Sequence, residues 1–141
     1  MSPLFGNKGN DPDNSAAQEA EIDRLDSLPI PQLASEVMTK GFGPGGPGED
    51  AENTVTVGGM SINSGPSVGQ IADTLVPKCP AALELRLARI TAEGVQALEH
   101  ASLVRTQMHS SSGSLDYATT RLGRAALEHS AVDRILGGGS L

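Results

Sequence analysis

Apolar positions along the chain fall into clusters of helical spacing, separated by stretches that hold no period. Between residues 15 and 28, Ile22, Leu25 and Leu28 recur every three residues among Glu19, Glu21, Asp23 and Asp26. This spacing predicts a short acidic helix, with Ser15 as its N-cap and Pro29 as its end. Pro31 suits the first turn of a second helix, whose stripe of Ile30, Leu33, Val37 and Met38 stops at Gly41. The text GFGPGGPG at residues 41–48 has no period and predicts a linker or mobile loop, because Gly and Pro interrupt both helix and strand. The β-branched run 54–57 is long enough for one short strand before Gly58 and Gly59.

From residue 67 the pattern becomes that of a globular domain. Ser67 is placed to cap a helix carrying Val68, Ile71, Ala72 and Leu75, closed by Pro77 and Pro80. The longest helical signal runs over residues 81–101. There Leu83, Leu87, Ile90, Gly94 and Leu98, widened by Val95, form a core face. The opposite spacing puts Arg86, Arg89, Glu93, Gln96 and His100 on one outward stripe. Leu103 and Val104 open an extended run to Met108, the polar text HSSSGS at residues 109–114 predicts a turn, and residues 115–119 return as a second strand. A last helix begins near Thr120, buries Leu122, Ala126 and Ile135, and ends in Gly137, Gly138 and Gly139.

Charge sharpens this division. Seventeen acidic and ten basic side chains give a formal net charge of −7 over 141 residues. Residues 1–66 hold ten of the acids and three bases, whereas residues 67–141 hold seven of each, so the whole excess is N-terminal. An acidic half opposes long-range attraction to a phosphate backbone. Residues 1–14, polar but for a few side chains such as Leu4 and Phe5, bury too little to offset the entropy of ordering and read as a disordered tail. The chain therefore divides into a tail (1–14), an acidic helical segment (15–40), a Gly/Pro-rich linker with a short strand (41–66) and a globular domain (67–141). No apolar run approaches a membrane span, and the single Cys79 has no disulfide partner within the chain, which together predict a cytoplasmic protein.

The stretch Leu98-Glu99-His100-Ala101-Ser102-Leu103-Val104, followed after the polar loop by Tyr117-Ala118-Thr119-Thr120-Arg121-Leu122-Gly123, resembles the winged helix-turn-helix of bacterial regulators of the MarR and PadR type. In that family a recognition helix ends in a pattern like L-E-x-x-G-L-V, a hairpin wing follows, and the return strand ends in Y-x-L-T-x-x-G. Ser102 stands where the family usually has glycine and Thr119 where it often has leucine. A serine at that helix terminus would take a left-handed conformation that glycine adopts more readily. The resemblance spans roughly residues 67–130. The N-terminal half resembles only small uncharacterised bacterial proteins and lends no chemistry.

Patterns of catalytic type fit by letter alone. Gly65-Pro66-Ser67-Val68-Gly69 matches G-x-S-x-G, but the chain is too short for the large sheet that exposes such a serine, and Ser67 reads better as a helix cap. Gly41, Gly43 and Gly46 match G-x-G-x-x-G but follow a helix, not a strand. His100, His109 and His129 lack metal-ligand spacing, so neither a metal nor another cofactor is expected. The resemblance implies that Arg86, Arg89, Gln96 and His100 face a DNA major groove, where Arg pairs with guanine and Gln with adenine. Arg105, His109 and Arg121 would then reach phosphates from the wing. The expected fold is mainly α with a small β-hairpin, a winged helix-turn-helix with a disordered acidic N-terminal arm. The expected function is non-enzymatic regulation through DNA. The alternative is a protein-binding adaptor built on the same fold and the acidic helices. The oligomeric state is open, a dimer among the options.

Overall fold

The strongest apolar stripe of the N-terminal third ends up at the centre of the molecule. The computed structural model describes residues 12–49, 55–57, 60–62, 65–108 and 115–138. Its elements are α1 (Pro12–Ser27), α2 (Ile30–Phe42), β1 (Val55–Val57), β2 (Met60–Ile62), α3 (Val68–Leu75), a 3-10 turn (Ala81–Leu83), α4 (Glu84–His100), β3 (Val104–Met108), β4 (Leu115–Thr119), α5 (Arg121–Glu128) and α6 (Val132–Leu136). The architecture is mainly helical with small antiparallel hairpins. Leu33, Ala34, Val37, Met38 and Phe42 of α2 are buried, and the helix packs on α3, α4 and α6. Residues 15–40 and the globular part from residue 67 thus share one core. Gly94 of α4 lets α2 approach closely: a Cβ there would lie 2.7 Å from Cγ2 of Val37.

The predicted core face of α4 is the observed one, since Leu87, Ile90, Gly94, Val95 and Leu98 are all buried. Ser67 caps α3 by accepting from the Gln70 amide at 3.3 Å, while the Gln70 side chain accepts from the Ser67 amide at 2.9 Å, a reciprocal capping box. One helix end and two core assignments differ from expectation. The first helix begins at Pro12, so Ser15 lies inside it, and the part of the expected tail before Pro12 lies outside the described residues. Ile30 and Leu122, expected in the core, are 39% and 37% exposed.

The largest departure concerns residues 41–48. They do not form a free linker: Gly41 and Phe42 complete α2, Phe42 is fully buried, and the chain then folds back so that the Gly48 amide donates to the Gly41 carbonyl at 2.7 Å. Arg124 of α5 holds this turn by donating to the Glu49 carbonyl at 2.6 Å and the Phe42 carbonyl at 3.4 Å. The glycines serve contact, because a Cβ at Gly48 would fall 2.5 Å from the Phe42 ring. Beyond the turn, the expected single strand has a partner, and β1 pairs antiparallel with β2 from Val55↔Ile62 to Val57↔Met60.

The expected hairpin is present, with β3 and β4 paired antiparallel from Val104↔Thr119 to Met108↔Leu115. The Pro66 carbonyl accepts from the Tyr117 amide at 2.9 Å, tying the approach to α3 onto the open edge of β4. Ser102 takes φ +62°, the left-handed conformation anticipated for it. The amides of Ser102 and Leu103 donate to the carbonyls of Glu99 and Leu98, the two-bond closure of a Schellman turn. The last helix is broken in the same manner. Ser130 at φ +51° ends α5, with its amide and that of Ala131 donating to Leu127 and Ala126, and α6 starts afresh. No helix among the described residues is long and apolar enough to cross a membrane.

Candidate nucleic-acid interface

The outward face of α4 is what the helix leaves over after its core positions are assigned. Arg89, Glu93, Gln96 and His100, at spacings of four, three and four, are all exposed. At the end of this face the Schellman turn redirects the chain into β3, where Arg105 is exposed. Thr120 consolidates the junction. Its hydroxyl donates to the Ser102 carbonyl at 2.6 Å and accepts from the Gly123 amide at 3.0 Å, capping α5, while its own amide donates to the Leu103 carbonyl at 3.1 Å. Arg121, on the first turn of α5, is exposed. His109 lies outside the described residues.

Arg86 is the exception to the predicted stripe. It sits at the edge of the exposed arc, beside α1, and its Nη2 lies 2.7 Å from Oδ1 of Asp23 and 3.0 Å from Oδ2 of Asp26. The two carboxylates hold the guanidinium pKa above its ordinary value. In the sequence they belong to the short acidic helix. Their position directly after the buried Ile22 and Leu25 is the signal that places them at the rim of the packed stripe. Gln18, one turn earlier on α1, donates from Nε2 to the carbonyls of Pro77 (2.8 Å) and Lys78 (2.7 Å). Helix α1 is thereby tied to the connection between α3 and α4. A second ion-pair group anchors it to α2, where Arg24 donates to Glu21 and Glu36 at 2.7 to 2.8 Å. That contact lowers the pKa of both carboxyls, chiefly through the hydrogen bonds from Arg24.

The charge on this surface is therefore mixed. Arg86 is paired with Asp23 and Asp26, and Arg89 shares the exposed stripe with Glu93 without an ion pair of its own among the described residues. A groove of about 450 Å³ lies between the start of α3 and the start of α4, lined by Ser67, Gln70, Asp73, Cys79 and Glu84 among others. Burial, with Glu84 and Asp73 nearby, pushes the Cys79 thiol up, away from the thiolate a nucleophile requires. Ser67 in the same groove is engaged as a helix cap. No group of three His, Cys, Asp or Glu side chains suited to a metal ion occurs among the described residues. Comparison of the chain with family models, with curated proteins and with solved structures gives no match.

Proposed function

We propose that this chain is a non-enzymatic regulatory protein that contacts DNA through a winged-helix module. In this reading α3 supports α4, α4 enters the major groove, and the β3–β4 hairpin reaches the flanking backbone. The observation that carries the proposal is the continuous exposed stripe Arg89, Glu93, Gln96 and His100 on the helix that leads directly into a hairpin bearing Arg105. Arg and Gln are the side chains that make bidentate contacts to guanine and adenine, and two helical turns separate them on one face. A net charge of −7 makes non-specific affinity weak, so recognition must rest on a few such contacts.

The test is fluorescence anisotropy with a random-sequence duplex at about 50 mM salt, where electrostatic binding is strongest, followed by selection from a randomised pool. Binding that is lost in Arg89→Ala/Gln96→Ala, with helical content and melting unchanged, supports the reading. Absence of binding by the wild-type chain, to the random-sequence duplex and to the randomised pool alike, overturns it. The pairing of Arg86 with Asp23 and Asp26 favours one other reading, a protein-binding adaptor whose α1–α4 surface is charge-balanced. Binding of DNA at low salt would overturn that second reading.

A further inference from the structure

The geometry points to α1 acting as a built-in gate on the DNA-reading face, with the carboxylates of Asp23 and Asp26 occupying Arg86 in place of a phosphate. This inference rests on the DNA reading above and names how that site is regulated. Three observations converge on it. Arg86 Nη2 bridges two carboxylates of a different helix, at 2.7 and 3.0 Å, and paired anionic oxygens are what the guanidinium would meet on a nucleic-acid backbone. Gln18 fixes the same helix to the α3–α4 connection through two carbonyls, so α1 spans the start of the recognition element. The contact is also exchangeable: the side chains of Arg86, Asp23 and Asp26 are 38%, 59% and 53% exposed, so a competing anion can reach the guanidinium from solvent.

The consequence is competition. With the pair closed, α4 presents Arg89 alone as an available cation, and non-specific binding is suppressed. A duplex that engages Arg89 and Gln96 correctly brings phosphates close enough to take Arg86 from the two aspartates, adding one cation to the interface. The acidity of the N-terminal half then has a specific place of action as well as a general repulsive one.

The test is a salt titration of duplex binding, using the full chain and a random-sequence duplex, on which the wild-type pair stays closed. Removing the pair in Asp23→Asn/Asp26→Asn should tighten binding and steepen the dependence of log affinity on log salt by about 0.9, the value of one additional phosphate contact. Glu128→Gln/Asp133→Asn removes the same charge from α5 and α6, where neither carboxylate touches Arg86. It should tighten binding without changing the slope. In an Arg86→Ala background the aspartate changes should lose their effect on the slope. An unchanged slope in Asp23→Asn/Asp26→Asn, or an equal change in the α5–α6 control, overturns the gate and leaves the DNA reading standing. Failure of both the wild-type chain and Asp23→Asn/Asp26→Asn to bind at about 50 mM salt overturns both.

Discussion

Gly123→Ala should be among the most damaging single-methyl additions in this protein. Gly123 is the third residue of α5, and a Cβ built there lies 2.0 Å from the Leu103 carbonyl oxygen and 2.9 Å from Cγ2 of Thr119. The first neighbour is backbone, at the Schellman turn between α4 and β3, and it also accepts the Thr120 amide at 3.1 Å. Ordinary contact needs more than 1 Å of separation to be recovered, so α5 must move away from the turn. Alanine gains up to about 1 kcal/mol in helix propensity over glycine. Against this stand an overpacking cost of about 1–3 kcal/mol or more and the loss of the Thr120 bonds, each worth about 0.5–1.5 kcal/mol. Steric cost wins, and a net destabilisation of about 2–4 kcal/mol is expected. Urea unfolding followed by circular dichroism measures it. Gly69→Ala is the internal comparison, because its Cβ would meet nothing closer than Ser67 Oγ at 3.8 Å, and it should stay within about 0.5 kcal/mol of wild type or gain. A Gly123→Ala midpoint equal to wild type would refute the claim that this glycine is required for close approach.

Ser102→Gly should stabilise by about 0.5–1 kcal/mol, because φ +62° is strained for serine and the Ser102 contacts in the turn are made by its backbone; a loss of stability in thermal unfolding would count against that turn geometry. Thr120→Ala removes both the cap on Gly123 and the bond to Ser102, and should lower stability by about 1–2 kcal/mol. Leu87→Ala, at 2% exposure, should cost about 2–5 kcal/mol, and wild-type melting would mean the wrong face of α4 was assigned to the core. The lowered pKa values of Glu21 and Glu36 imply stability present above the ordinary carboxylate range and lost as pH falls through the lowered values. With the two side chains 33% and 29% exposed, solvent screening keeps the contribution below about 1 kcal/mol, and Glu36→Gln should flatten the acid limb of a melting-temperature profile.

Local periodicity is enough for the elements of the globular part except the last helix, whose break at Ser130 it does not show. Leu87, Ile90 and Leu98 identify the buried side of α4, and the polar 109–114 run between two short apolar segments identifies the hairpin. Helix type and core face depend on neighbours three or four residues away, which the sequence displays directly. Residues 41–48 were misread because Gly and Pro carry two opposite meanings, freedom in isolation and close contact when something packs on them. What distinguishes the cases is Phe42, a single large apolar side chain inside the glycine run, together with Arg124 more than 80 residues away. Neither the distance nor the direction of such a partner is written locally. Ile30 and Leu122 fail for the related reason that a residue at the border of an apolar stripe is buried only if the neighbouring helix extends that far.

The candidate site shows the same limit in its sharpest form. A helical wheel places Arg86 on the outward stripe of α4, yet outward from α4 is toward α1 at that position, and the wheel has no knowledge of α1. The acidic helix, read as a solvated arm, buries Ile22 and Leu25 completely, and burial of those two fixes where Asp23 and Asp26 must sit. A short amphipathic segment next to a globular domain is thus poorly described as an arm whenever its apolar residues share one face, because that face has to be covered by something. Here the covering surface includes the start of α4, so two of the N-terminal acids, Asp23 and Asp26, are brought to the helix that carries Arg86 and Arg89. Any account of function must therefore treat α1 and α4 as a single electrostatic unit.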